Sequence, residues 1–212
     1  NIDAARRWRR ANVKQIDIIL ASKSTARRQI LENAAVPFRW VDANIDETAI
    51  KENSLDLGTR PETIAHELAK AKAQLISNRY SNALVIGCDQ LLCLNSKVYD
   101  KPTCLIDAVA HLKSFSNSTH KLIASVVIVK AGELIWSYTD EANMHTRELS
   151  DEFIEAYLKI EGEKVLTSVG AYCLEGMGSQ IFKRIDGDYF TILGLPLLPL
   201  LEELRNQGIL DR

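Results

Sequence analysis

Ile18-Ile-Leu-Ala-Ser22-Lys-Ser24-Thr-Ala-Arg27-Arg28 is the stretch on which the fold turns: an apolar run passes into hydroxyls and then into two arginines at the head of a helical pattern. Ile18 to Ala21 is a short run of the kind that forms a buried strand, and Gln29-Ile30-Leu31 with Ala34 and Ala35 opens a helix-like stripe. Ser24 or Thr25 is the natural N-cap. The first turn of a helix exposes unpaired N–H groups and a partial positive charge, so acidic residues are usual there. Arg27 and Arg28 stand there instead. Cations suit that end where an anion lies between, and hydroxyls, N–H groups and guanidinium forks together make a phosphate cradle. The same residues also suit a capped surface helix with solvated arginines, and the stretch alone does not choose between the two.

Working outward, Pro37-Phe-Arg-Trp40-Val41 reads as a second strand that leads to the adjacent carboxylates Asp46 and Glu47. Gly58-Thr59-Arg60-Pro61-Glu62 starts a helix running to about Ser77, with proline early and an acid in the first turn. Its apolar residues Ile64, Ala65, Leu68, Leu75 and Ile76 form a stripe, and Lys72 falls inside that stripe while Lys70 points away. An inward lysine needs a partner unless it snorkels past the stripe edge. Ala83-Leu-Val-Ile-Gly87 is a further buried-strand candidate, followed by Asp89-Gln90 and the apolar run Leu91 to Leu94. Asp89 is thus a carboxylate between apolar segments, costly to bury without compensation, or else the mark of a strand-end loop. Asn95-Ser96-Lys97 reads as a turn of a hairpin that brings Lys101-Pro102 back toward Asp89.

The later chain changes character. Ile106 to Phe115 reads as helix; Leu122 to Val129 and Glu133 to Tyr138 read as a hairpin around Ala131-Gly132, with another strand near Glu141 to Arg147. Ser150 opens an amphipathic helix, Gly170-Ala-Tyr172 and Glu175-Gly176-Met-Gly178 are glycine-punctuated, and Ile181 to Leu193 suggests a last hairpin around Asp186-Gly187. Pro196 begins a terminal helix. Strand–helix alternation early and hairpins late predict an α/β domain with a mixed sheet.

The chain has 212 residues, 46% hydrophobic and 25% charged, with 26 basic against 28 acidic side chains. That length accommodates one large domain or two small lobes sharing a cleft, and one folding unit is expected. The charge balance points to neither a nucleic-acid nor a membrane partner. Arg6-Arg7-Trp-Arg9-Arg10 lies in a leading basic extension, residues 1–16, ahead of the domain at 17–212. No signal-peptide core or membrane-length run is visible, so a cytoplasmic protein is expected. Cys88, Cys93, Cys104 and Cys173 lack CxxC spacing and read as reduced core thiols. The four histidines, at 66, 111, 120 and 145, are scattered and read as surface or structural rather than metal-ligating. Walker A, GxGxxG, HExxH and GxSxG motifs are missing.

Arg27, Glu47, Lys72, Asp89 and Lys101 alternate cation with carboxylate at element ends or anomalous positions. Phosphoanhydride hydrolysis needs that mixture: cations offset phosphate charge, and carboxylates hold a divalent ion and orient or deprotonate water. Leu20-Ala-Ser22-Lys-Ser24-Thr-Ala-Arg27-Arg28, Ile45-Asp46-Glu47, Ala71-Lys72-Ala73, Gly87-Cys-Asp89-Gln90, Lys101-Pro102, Gly170-Ala-Tyr172, Glu175-Gly176-Met-Gly178 and Gly187-Asp-Tyr-Phe with Gly194-Leu-Pro196 follow one another in an order that resembles the Maf family of nucleoside triphosphate pyrophosphatases. The resemblance runs from about Asp17 to the end. It implies an elongated mixed sheet with flanking helices and a cleft between two lobes, related to the inosine triphosphate pyrophosphatase fold. It also implies hydrolysis of a nucleoside triphosphate to monophosphate and pyrophosphate with a divalent cation, Mg, Mn or Co.

By that resemblance Asp89 is the proton acceptor, Glu47 and Asp89 hold the metal, Lys72 and Lys101 serve catalysis, and Ser22, Ser24, Arg27 and Arg28 bind the substrate. The family's Ser-Pro-Arg-Arg becomes Ser24-Thr25-Ala26-Arg27 here, so the first arginine is absent and Arg28 falls one place beyond the pair. The three positions that separate the dTTP/UTP branch from the 7-methyl-GTP branch are Ala26, Gln90 and Glu175 in this chain. Gln90 and Glu175 look like the second branch; Ala26 stands where that branch has tryptophan, leaving the substrate open. A nucleotide-binding regulator of septum formation is the other function the family suggests, and a symmetric dimer is the default assembly.

Overall fold

The computed structural model describes residues 16–211, so the predicted basic extension lies outside the described residues except for Ile16. The chain divides into two compact units. The first takes the chain to Asp89, with Ala124–Asp140 and the stretch from Leu193; the second is Gln90–Ile123 with Glu141–Ile192. Among the described residues seven strands form one mixed sheet, in the order β2 (Arg39–Trp40), β1 (Ile18–Leu20), β3 (Leu84–Leu94), β5 (Thr119–Lys130), β6 (Glu133–Thr146) and β7 (Phe182–Asp186), with β4 (Lys97–Tyr99) paired to β3.

In the first unit β1 (Ile18–Leu20) lies parallel to β2 (Arg39–Trp40) and to β3 (Leu84–Leu94), joined through α1 (Thr25–Asn33), α2 (Glu47–Asp56) and α3 (Pro61–Ser77). Ile19, Ala21, Val85, Val127 and Val129 from the sheet meet Ala69, Ala73 and Ile76 from α3 in a dry cluster. Each large aliphatic side chain enclosed in this way contributes about 1.5–3 kcal/mol. The stripe read from sequence is the buried face of α3, and Lys72 lies within it. Helix α2 has no buried residue and no apolar stripe, which is why periodicity did not reveal it.

Two expectations are corrected. Leu84 to Leu94 is a single strand of eleven residues running straight through Asp89, which is therefore a strand-interior carboxylate and not the mark of a loop. Tyr189–Ile192 is not the returning arm of a hairpin but a helical turn, α6, because Asp188 Oδ1 accepts from the N–H groups of Phe190 and Thr191 at 2.9 and 3.0 Å.

The second unit holds β4 (Lys97–Tyr99), α4 (Leu105–Phe115), α5 (Asp151–Glu161) and β7 (Phe182–Asp186), together with parts of β5 (Thr119–Lys130) and β6 (Glu133–Thr146). Asn95 and Ser96 both take positive φ, 50 and 67°, which suits the tight turn joining β3 to β4. The strand predicted near Glu141 is the continuation of β6, and β7 pairs with it antiparallel, Met144 opposite Ile185. Tyr99, Leu112, Phe115, Met144, Tyr157 and Ile181 belong to this unit's own core. Helix α7 (Leu197–Asn206), in the first unit, buries Leu197, Leu200 and Leu204.

Candidate active site

Helix α1 begins as the sequence requires. Ser24 caps it, its Oγ accepting from the Arg27 N–H at 3.4 Å. Ser22, two residues past β1, accepts on its Oγ from the Ser24 N–H at 3.2 Å and from Arg27 Nη1 at 3.4 Å. Arg27 reaches further: Nη1 donates to the Cys88 carbonyl at 2.9 Å and Nε to the Gly194 carbonyl at 2.8 Å. Its guanidinium is thus aimed by three protein oxygens, and among the described residues none takes a hydrogen bond from Nη2. Two fixed donors remain for an anion. Arg28 goes elsewhere, bonding Thr25 Oγ1 at 3.0 Å and lying 4.4 Å over the Trp40 ring.

The second half of the site is a product of close packing. Gly87 and Asp89 share a face of β3 because side chains alternate along a strand. A Cβ on Gly87 would strike the Ala69 carbonyl and come within 2.8 Å of the Ala73 Cβ, so only glycine lets α3 approach this near. At that approach Lys72, on the same turn of α3, reaches Asp89 Oδ1 with Nζ at 2.5 Å and Glu47 Oε1 at 2.9 Å. The Lys72 and Asp89 side chains are 9% and 8% exposed, Glu47 45%. Of the adjacent carboxylates, Asp46 is spent as the N-cap of α2, accepting from the Ala49 N–H at 3.0 Å, and Glu47 is the one that turns to Lys72. A buried cation between two carboxylates satisfies all three groups, whereas any one alone would be costly.

The structure therefore brings together Ser22, Ser24, Arg27, Glu47, Lys72 and Asp89, all in the first unit. Lys101 is exposed, beyond β4 in the second unit; Glu175 is exposed in the same unit; Ala26 is exposed on α1. Gln90 donates from Nε2 to the carbonyls of Thr191 and Ile192, each at 3.0 Å. Among the described residues no group of three or more His, Cys, Asp and Glu side chains could hold a metal ion. The pair Glu47 and Asp89 nevertheless suits a hard divalent cation of the magnesium type, which takes one or two carboxylates and completes its shell with substrate phosphates and water.

The Cys88 thiol beside Asp89 is enclosed, and burial pushes its pKa up to about 11, so it is no nucleophile at neutral pH. Cys104 is exposed, against the expectation of a core thiol. Thr119, His145 and Asp186 line up as hydroxyl, imidazole and carboxylate at 2.9 and 2.8 Å. They are a cross-strand ladder on β5, β6 and β7, with Asp186 already gripped by Arg184, and not an enclosed hydrolase triad. Sequence reasoning missed the carbonyls of Cys88 and Gly194 as the groups that aim Arg27, since backbone oxygens leave no signature in residue types.

The family model described as Maf-like protein matches residues 17–207. The chain belongs to the Maf family. Among curated relatives, the 7-methyl-GTP pyrophosphatase of Rhizobium meliloti (strain 1021) is 48% identical over 194 residues, spanning 92% of this chain and 98% of its own. The 7-methyl-GTP pyrophosphatase of Brucella suis biovar 1 (strain 1330) is 44% identical over 196 residues, with the same two coverages. A nucleoside triphosphate pyrophosphatase of Paramagnetospirillum magneticum (strain ATCC 700264 / AMB-1) is 44% identical over 190 residues, spanning 90% of this chain and 98% of its own. No helix among the described residues is long and apolar enough to cross a membrane.

Proposed function

We propose that this Maf protein hydrolyses a nucleoside triphosphate to the monophosphate and pyrophosphate, with 7-methyl-GTP as the candidate substrate. The observation that carries the reading is Lys72, buried on α3 yet held between Asp89 and Glu47 beside an arginine whose Nη2 stays open. The activity follows from relatives named for it at 44 to 48% identity over nearly their whole length.

Asp89 takes a proton from water as its oxygen adds to phosphorus, and the bond to the oxygen bridging the α and β phosphates breaks, its electron pair leaving with pyrophosphate. Arg27, Ser22 and the α1 N-terminus hold phosphate oxygens, and Lys72 offsets carboxylate charge that would otherwise repel a polyanion. Glu47 and Asp89 would hold a divalent cation, which when bound supplies Lewis-acid polarisation of a phosphoryl oxygen. The choice of 7-methyl-GTP rests on the relatives named for that substrate.

A panel of 7-methyl-GTP, GTP, UTP and dTTP, assayed for pyrophosphate with Mg, Mn or Co present, tests both parts. Fastest turnover of 7-methyl-GTP is expected. Nucleotide binding without pyrophosphate release from any member would leave a regulator and end the hydrolase reading.

A further inference from the structure

β6 is flanked on both sides over only part of its length. It lies between β5 and β7 in the sheet, and β7 pairs with it from Asn143 to Thr146. From Glu133 to Thr139, among the described residues, no strand pairs on that outer side. Leu134-Ile-Trp136-Ser-Tyr138-Thr139 has neither charge nor proline, and Leu134, Ile135 and Tyr138 are 38, 41 and 40% exposed. The Trp136 and Tyr138 rings lie nearly parallel, their centroids 6.3 Å apart. A bare edge of this kind is a template for another strand, and proteins ordinarily blunt it with lysine, proline or a cover. Carboxylates bound the stretch, Glu133 at one end and Asp140 at the other.

The first unit also holds a segment of matching chemistry. Arg6-Arg7-Trp-Arg9-Arg10 sets four cations around one indole, and Lys14 follows. Alternation in an extended segment would place Arg6, Trp8 and Arg10 on one side, the same two-residue spacing as Leu134, Trp136 and Tyr138. The β5–β6 turn and the start of β1 lie at one end of the sheet. The Gly132 N–H donates to Ser77 Oγ, at the close of α3, at 3.0 Å, and the Leu84 N–H, at the start of β3, donates to the Asp17 carbonyl at 2.9 Å. In the order β1-β3-β5-β6 three strand spacings, about 14 Å, separate β1 from β6. Residues 1–15 span up to about 50 Å when extended, so reach is ample.

We propose that residues 1–15 dock on the outer edge of β6 in the same chain, with Trp8 against Trp136 and Tyr138 and the arginines toward Glu133 and Asp140. Backbone hydrogen bonds to the bare edge hold the segment; charge and cation–π contact select it. The inference makes no use of the hydrolase reading.

Amide hydrogen exchange of the full chain, followed by mass spectrometry on peptides covering 133–139, tests it. Wild type is compared with Trp8→Ser and with Arg6→Ser/Arg7→Ser/Arg9→Ser/Arg10→Ser, peptides from α3 serving as the control for folding. Pairing with β5 protects alternate amides in every variant. The others should exchange at least about tenfold more slowly in wild type than in either variant. A second measurement needs no variant: about 1 M salt, which screens charge within a few ångströms, should release the same amides in wild type. Protection that is absent from wild type, unchanged in both variants or insensitive to salt would overturn the proposal. So would protection lost on dilution, which would assign the edge to a second copy of the chain.

Discussion

Lys72 in the first unit and His120 in the second are both enclosed bases, 7% and 0% exposed, and the molecule treats them in opposite ways. Lys72 is given two carboxylates within 2.9 Å. His120 is given rings: Phe115 with centroids 4.7 Å away, Phe182 and Tyr172, whose hydroxyl meets Nε2 at 2.8 Å, while Nδ1 has no partner among the described residues. Burial, helped by the nearby His145, pushes the His120 pKa down to about 4, so it sits in the core as a neutral ring. Burying charge is worth its cost only where charge is used, and an uncharged base in an aromatic core is packing.

The largest effect should follow from breaking the charged cluster at its acid. Asp89→Asn keeps the shape and removes the proposed proton acceptor, so pyrophosphate release should fall by about 10³-fold. Circular dichroism should show the fold kept, since Glu47 still faces Lys72. Undiminished turnover would take Asp89 out of the mechanism. The cluster can also be pried apart from behind. Gly87→Ala forces α3 off β3, and chemical denaturation should report a loss of about 3 kcal/mol, the scale of an overpacked core.

The neutral base offers the complementary test through pH. Unfolded, His120 takes a proton near 6.5; folded, it resists until about 4. The unfolded chain therefore binds the extra proton in that window, and stability falls as pH drops through it, by at most about 3 kcal/mol, and levels off below. Above pH 6.5 this group contributes nothing to the pH dependence. Denaturation midpoints of wild type and His120→Phe, compared from pH 7 to 4, should diverge in slope; parallel curves would show that His120 is protonated in the fold.

How far each base could be foreseen differs for physical reasons. Lys72 was legible because a helical stripe has a period, and a lysine inside it stands out. Its partner was half legible: Asp89 interrupts an apolar run, which read equally as a loop, since the compensating cation lies seventeen positions upstream. The environment of His120 left no trace, as Tyr172 lies 52 positions away and no local period links them. Helix α2 was invisible because it buries nothing, and α6 because one Asp188 side chain outweighed the β-propensity of Tyr-Phe-Thr-Ile. The cluster of hydroxyls and N–H groups at the start of α1 was the most legible part, its cap and hydroxyls lying within a few residues; which arginine joins it was not, since Cys88 and Gly194 choose Arg27 through backbone oxygens.

The smallest effect isolates what burial adds to a lysine–carboxylate pair. Lys121 meets Glu141 at 2.9 and 3.0 Å, geometry as good as that of Lys72 with Glu47, but their side chains are 46% and 42% exposed. Water already solvates both charges there, so removing one partner strands nothing. Lys121→Ala should cost no more than about 0.5 kcal/mol, and less still in high salt, which screens exposed pairs first. Lys72→Ala leaves Asp89 enclosed without its cation and belongs to a different class, a few kcal/mol. Thermal midpoints of the two variants at low and high ionic strength measure the gap directly. Equal losses would mean that the enclosure around Lys72 admits water freely, and that its pairing with Asp89 is a surface contact in all but position.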